Sequence, residues 1–209
     1  MKKIAINGFG RIGRASLKII MDTPGLEVVA VNDLLTIGNA AYLLKYDSVY
    51  GIYDKEVIIN NNYLQTGNKK VSYLSIKNPA ELPWKDLGVD TVIESTGFFT
   101  DREDAEKHIH AGAKQVVISG PTKSIDTPTV VHGVNTEDGK VAIFSCASCT
   151  TNNISPVIEI IGRRIGIKKA ILNTVHAYTA SQSLVDGPSK KKPRMGRAAA
   201  MNLVPASTG

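Results

Sequence analysis

Gly8-Phe9-Gly10-Arg11-Ile12-Gly13 constrains this chain more than any other stretch. It follows a short apolar run, Lys3–Asn7, that reads as a buried strand. It opens Arg11–Met21, where Ile12, Leu17, Ile19 and Ile20 give helical periodicity. A G-x-G-x-x-G pattern in isolation carries little information, but between a strand and a helix it has a mechanical meaning. Gly8 permits the tight turn, Gly10 lets the backbone approach a pyrophosphate, and Gly13 lets the helix pack close to the sheet. The helix start then offers free N–H groups and the positive end of its dipole to phosphates.

The following segments fit the same unit. Leu26–Asn32 is a second apolar run of strand length, and Asp33 lies 20 residues after Gly13. A carboxylate at that place accepts hydrogen bonds from ribose hydroxyls and repels a 2′-phosphate, which favours NAD over NADP. Gly38–Leu44 reads as a helix, Val57–Ile59 and Val71–Ile76 as strands, and Thr91–Glu94 as a strand ending in Ser95-Thr96-Gly97. Asp101–Ala111 reads as a helix with Thr100 at its N-cap, and Gln115–Ser119 and Ala142–Ser145 as short buried strands. Strands alternating with helices predict an α/β fold: a mostly parallel, doubly wound sheet of Rossmann type. The pattern changes after Cys149, where Thr151–Arg164 has helical periodicity and Ala170–His176 reads as a strand. We therefore expect residues 1–148 to form a dinucleotide-binding domain and 149–209 part of a second, α+β domain.

The chain has two cysteines, Cys146 and Cys149, so no disulfide framework organises it. Ser148-Cys149-Thr150-Thr151-Asn152 follows an apolar strand and leads into a helix. A thiol at a helix N-terminus has its thiolate stabilised by the dipole. A nucleophilic cysteine also needs a base, and His176, closing the Ile171–Val175 run, is placed to supply one. Cys146 is expected to be a buried core thiol. Cys146-Ala147-Ser148-Cys149 also spells C-x-x-C, but a structural zinc site would want a second ligand pair at matching spacing, and the chain has none. His108 and His110 sit two apart on a helix, point to different faces and are read as surface histidines rather than metal ligands. Gly133 to Lys140 has the wrong glycine spacing for a P-loop, and Val141 follows the lysine where Ser or Thr would be needed.

Composition bounds the rest. Hydrophobic residues make up 43% and charged residues 21%, ordinary values for a globular protein able to bury a core. No apolar run approaches bilayer length, and the apolar stretch after Met1 is too short for a signal peptide, so the expected compartment is the cytoplasm. The net charge is +6, with Lys190, Lys191, Lys192, Arg194 and Arg197 clustered in the long irregular stretch 180–197. Such a run reads as a solvated loop or small-anion site before it reads as a nucleic-acid interface.

The motifs together resemble the phosphorylating, NAD-dependent glyceraldehyde-3-phosphate dehydrogenases. The resemblance is carried by Ile6–Arg14, Val31-Asn32-Asp33, Tyr46-Asp47-Ser48, Glu94–Phe98, Gly133-Val134-Asn135, Ala147–Asn152, Val175–Thr179 and Pro205–Gly209, in family order along the whole chain. It implies a glycolytic oxidoreductase in which Cys149 attacks an aldehyde, hydride passes to NAD, and inorganic phosphate releases an acyl phosphate from the thioester. It further implies His176 as base, with Gly8, Gly10, Arg11, Ile12, Gly13, Asp33, Lys77 and Ser119 at the NAD site. Ser148, Thr150, Thr179, Thr208 and Gly209 would bind the phosphates of glyceraldehyde 3-phosphate and of inorganic phosphate. It implies a homotetramer for the full-length family, with the long basic loop at an interface. Residue 146 is usually Asn in the family and is Cys here; residue 77 is often Arg and is Lys here. Family chains continue well beyond Gly209, so this chain reads as an incomplete portion with little or no turnover of its own. A related erythrose-4-phosphate dehydrogenase, and a non-catalytic NAD-binding or reactive-thiol protein, are the competing readings.

Overall fold

The computed structural model describes residues 1–136, 141–189 and 192–206. It divides into two compact units, Met1–Ala147 and Ser148–Gly209.

The first unit is built on an eight-stranded sheet. Its strands are β1 (Lys2–Asn7), β2 (Leu26–Asn32), β5 (Val57–Asn60), β6 (Tyr63–Thr66), β7 (Lys69–Leu74), β8 (Thr91–Glu94), β9 (Gln115–Ile118) and β10 (Ile143–Ser145). A separate two-stranded ribbon pairs β3 (Tyr46–Asp47) with β4 (Gly51–Ile52). The helices are α1 (Arg11–Met21), α2 (Ile37–Lys45), the single turn α3 (Trp84–Leu87) and α4 (Arg102–His110). The sheet order is β10-β9-β8-β1-β2-β7-β6-β5. Counting its six parallel members in chain order gives 3-2-1-4-5-6, the Rossmann arrangement, with the order reversing between β1 and β8. Ligands bind such sheets at the carboxyl ends of the strands beside that reversal.

Two apolar layers sandwich the sheet. Ile4 and Ile6 of β1 pack with Leu17 and Ile20 of α1 and with Ala40 and Leu44 of α2. Ala5, between them in sequence, faces the opposite layer with Trp84, Val92, Ala105 and Val116. That alternation is the period of two expected of a strand buried on both faces. Each large side chain so enclosed contributes roughly 1.5–3 kcal/mol.

The structure departs from the sequence expectations in several places. β6 was not foreseen; with β5 and β7 it forms an antiparallel extension at one edge of the sheet. The α4 helix starts at Arg102 with Asp101, not Thr100, at its N-cap; the Asp101 side chain makes no cap bond, and Ser124 Oγ accepts from the Arg102 N–H at 2.9 Å. Ala170–His176 forms no strand. Its β-branched residues have the propensity, but a strand exists only where a neighbour pairs its N–H and C=O groups, and no described element of its unit does so. His108 is not a surface residue: it is fully buried, held by Trp84 and Glu94.

The second unit begins with α5 (Cys149–Arg164), a 16-residue helix that passes through Pro156. It ends in an irregular chain with a short 3-10 turn at Pro193–Gly196. Few of its described residues are buried, and Val157, Ile158, Ile160 and Ile161 of α5 are open to solvent.

Candidate active site

In the first unit, the turns that leave the carboxyl ends of the parallel strands gather on one edge. Gly8–Gly13 follows β1, Asp33 follows β2, Lys77 lies beyond β7, Ser95–Gly97 follows β8 and Ser119 follows β9. Gly8 has φ +93°, and a Cβ on it would lie 2.5 Å from the Thr96 nitrogen. A Cβ on Gly13 would lie 2.1 Å from the Gly8 carbonyl oxygen. Both positions therefore admit glycine alone, whereas a Cβ on Gly10 would meet nothing within 4 Å. By helix geometry the N–H groups of Arg11, Ile12 and Gly13 lack intrahelical acceptors, and α1 has no side-chain cap. The turn thus presents open donors at a positive helix end.

Asp33 clamps this turn. Its Oδ2 accepts from the Phe9 N–H at 2.6 Å and its Oδ1 from the Leu35 N–H at 2.9 Å. A carboxylate has about four acceptor positions, so two remain for a ligand hydroxyl. Arg11 is paired with Asp47 and lies over the Tyr50 ring, 5.5 Å from its centroid. The Tyr50 and Val49 backbone N–H groups, and then Arg11, hold the Asp47 carboxyl down at about 2. Tyr46-Asp47-Ser48 was noticed in the sequence without a role; the structure gives Asp47 the task of anchoring Arg11. Ile12 and Lys77 are exposed, and the Ser119 N–H is taken by the Glu94 carbonyl at 2.9 Å.

In the second unit Cys149 and His176, the expected nucleophile and base, come together. Ser148 caps α5, its Oγ accepting from the Thr151 N–H at 3.0 Å. Cys149 is then the first residue of the helix, with the dipole's positive end beneath its sulfur. Ala147, just before the cap, takes the left-handed conformation at φ +61°. The Cys149 Sγ lies 3.2 Å from His176 Nε2. His176 Nδ1 lies 2.6 Å from the Ala177 carbonyl oxygen, so Nδ1 carries the proton and donates, leaving Nε2 facing the thiol. The contact with His176 and the Thr150 N–H hold the Cys149 thiol below its ordinary pKa. The Ala177 carbonyl, then Cys149, raise that of His176. Both shifts favour a thiolate beside an imidazolium. An open cleft of about 440 Å³ is lined by Cys149, Thr150, Asn153, Thr174 and His176. Asn153 and Thr174 were missed from sequence; Asn153, one helical turn beyond Cys149, could have been found from i, i+4 spacing.

The other expected residues are placed less tightly. Thr150 is buried, and Thr179 is exposed with its Oγ1 2.9 Å from Ser181 Oγ. Thr208 and Gly209 lie outside the described residues, as do Lys190 and Lys191. Arg197 of the basic cluster is paired with Asp186 at 2.8 Å. Cys146, expected as a buried core thiol, is only half-buried, and burial pushes its thiol pKa up, opposite to Cys149. Among the described residues there is no His, Cys, Asp or Glu cluster able to hold a metal ion. None of their helices is long and apolar enough to cross a membrane.

Comparison with known proteins agrees with both halves. Residues 2–102 match the family model described as glyceraldehyde 3-phosphate dehydrogenase, NAD binding domain, and residues 148–209 match its C-terminal domain. The glyceraldehyde-3-phosphate dehydrogenase of Clostridium acetobutylicum is 47% identical, the match covering 100% of this chain and 63% of the relative. That of Chlamydia pneumoniae is 49% identical, covering 99% and 63%. Glyceraldehyde-3-phosphate dehydrogenase 1 of Kluyveromyces lactis is 50% identical, covering 100% and 64%. The chain thus spans a little under two thirds of the length of these relatives, and it belongs to the glyceraldehyde-3-phosphate dehydrogenase family.

Proposed function

We propose that this chain carries the NAD site and the nucleophile–base pair of a phosphorylating glyceraldehyde-3-phosphate dehydrogenase of the cytoplasm. The observation that carries the reading is the 3.2 Å contact between Cys149 Sγ and His176 Nε2 at the start of α5. The residues of the first unit fit NAD: open N–H donors at the start of α1, unobstructed space over Gly10 and free acceptor positions on Asp33. Bound there, NAD would supply the hydride acceptor.

The chain's own residues would act as follows. The Cys149 thiolate forms a C–S bond to the aldehyde carbon, and the carbonyl π electrons move to oxygen. The Cys149 backbone N–H, unpaired at the helix start, faces the developing oxyanion. His176, protonated on Nε2 by the thiol, gives that proton to the oxygen and recovers it as hydride leaves the carbon. The thioester on Cys149 is then attacked by inorganic phosphate, which breaks the C–S bond and returns the thiolate. Ser148, Thr150, Thr179, Thr208 and Gly209 are the proposed phosphate contacts. Assembly as a homotetramer, with glyceraldehyde 3-phosphate and inorganic phosphate as reactants, belongs to the same proposal.

Two measurements test it. Calorimetric titration should give saturable NAD⁺ binding at one site and weaker NADP⁺ binding. Acetyl phosphate, an acyl phosphate without the triose, should acetylate Cys149, releasing inorganic phosphate. The adduct should be absent in C149S and slow to form in H176N. No NAD⁺ binding together with an unreactive Cys149 would overturn the proposal.

A further inference from the structure

The proposed reaction leaves one set of buried polar groups unused. Glu94, His108, Asn7 and Asn32 are all nearly inaccessible, beneath the turns at the carboxyl edge of the sheet. Their hydrogen bonds have one self-consistent direction. The Trp84 indole can only donate, and it donates to His108 Nδ1 at 2.9 Å. His108 is therefore neutral with its proton on Nε2, which donates to Glu94 Oε2 at 3.0 Å. Asn7 Nδ2 donates to the same oxygen at 2.6 Å. With its amide so oriented, Asn7 Oδ1 accepts from Asn32 Nδ2 at 2.7 Å. Asn32 then clasps the backbone of Ile76, Oδ1 accepting from its N–H at 2.8 Å and Nδ2 donating to its carbonyl at 2.9 Å. Glu94 Oε1 meanwhile accepts from the Thr96 N–H at 2.8 Å and from the Thr96 hydroxyl. Thr96 is the residue that packs on Gly8, and Ser95 Oγ donates to the Gly8 carbonyl at 2.7 Å.

One carboxylate therefore ties the turns after β1 and β8 to each other, and through Asn7 and Asn32 to the segment just before Lys77. We propose that Glu94 is a positioning residue for dinucleotide binding: with Asn7 and Asn32 it fixes the spacing of these turns around the crevice, the donor direction being set by Trp84 through His108. The inference rests on the NAD reading above. It makes Glu94 irreplaceable by Gln, because both carboxylate oxygens face N–H donors and neither amide orientation avoids a donor–donor contact.

The test measures NAD⁺ dissociation constants by calorimetry, and melting temperatures, on this chain and three variants. E94Q should weaken NAD⁺ binding about tenfold or more in the molecules that remain folded, the effect of unsatisfied buried donors displacing the turns. N7D/E94Q should not restore the affinity: an amide at position 94 can then donate to a carboxylate at position 7 but still meets the His108 Nε2–H, and full recovery would contradict the donor direction set by Trp84. N32D keeps the acceptor for Ile76 N–H but sets oxygen against the Asn7 and Ile76 oxygens; it should weaken binding by a similar factor with Glu94, His108 and Trp84 untouched. N32D decides the matter should E94Q fail to fold. Lower melting temperatures with unchanged dissociation constants would show a purely structural network and overturn this inference alone. Wild-type chain that does not bind NAD⁺ would overturn both this inference and the cofactor reading.

Discussion

The two units solve the placement of reactive groups in opposite ways. In Met1–Ala147 the crevice is made of backbone: glycines that admit no Cβ, strand ends, and turns tied by buried carboxylate and amide groups. In Ser148–Gly209 the Cys149–His176 pair is made of side chains on a capped helix end and an irregular, mostly exposed segment. The first arrangement is stiff because each turn is held by several independent bonds within a packed core. The second depends on the dipole of α5, the Ser148 cap and one contact between sulfur and imidazole. Substitutions should therefore be severe and geometric in the first unit, and graded and electrostatic in the second.

The largest expected effect breaks the first half of that contrast. In G13A the new Cβ would lie 2.1 Å from the Gly8 carbonyl oxygen, so backbone must move. NAD⁺ binding should be lost along with about 3 kcal/mol of stability, read by calorimetry and denaturant unfolding. Wild-type affinity in G13A would mean that the turn is not the constraint described here. In the second unit, iodoacetamide should label Cys149 at neutral pH about tenfold faster than Cys146, whose thiol is pushed the other way by burial. Peptide mapping over time gives the ratio, and equal rates would remove the case for activation. S148A removes the oxygen that receives the Thr151 N–H and should cost about 1 kcal/mol without abolishing labelling. The smallest effect is expected at Ala147, where A147G relieves a left-handed alanine and should change stability by about 1 kcal/mol or less, towards greater stability. A loss of several kcal/mol there would show that the methyl group, not the backbone angle, matters.

The same contrast explains what the sequence made readable. Gly8–Gly13 and the end of β2 at Asn32 are local signals: spacing and periodicity carry them, and the structure places them at the crevice. Ser148 before Cys149 is local too, since a serine ahead of a helical run is a cap with a mechanism. What stayed hidden is set by distant partners. Ala170–His176 has strand composition and no described neighbour to pair with. Tyr63–Thr66, with Gln and Thr among its four residues, became a strand because β5 and β7 flank it. His108 lies on a strongly charged helix, Arg102–His110, and its burial is legible only when Trp84 and Glu94 are known to converge on it. The pairing of Arg11 with Asp47 joins residues 36 apart, which only the fold brings side by side.

The central claim is that Cys149 is a thiolate nucleophile held ready by His176, and the rate of its alkylation as a function of pH tests it most directly. A depressed thiol pKa means that the thiolate persists as pH falls below the ordinary thiol range and is lost only on passing through the lowered value. The wild-type profile should therefore have its midpoint below that of an unperturbed cysteine, and H176N should move the midpoint upward towards it. Coincident profiles for wild type and H176N, both centred on the ordinary thiol value, would contradict the account.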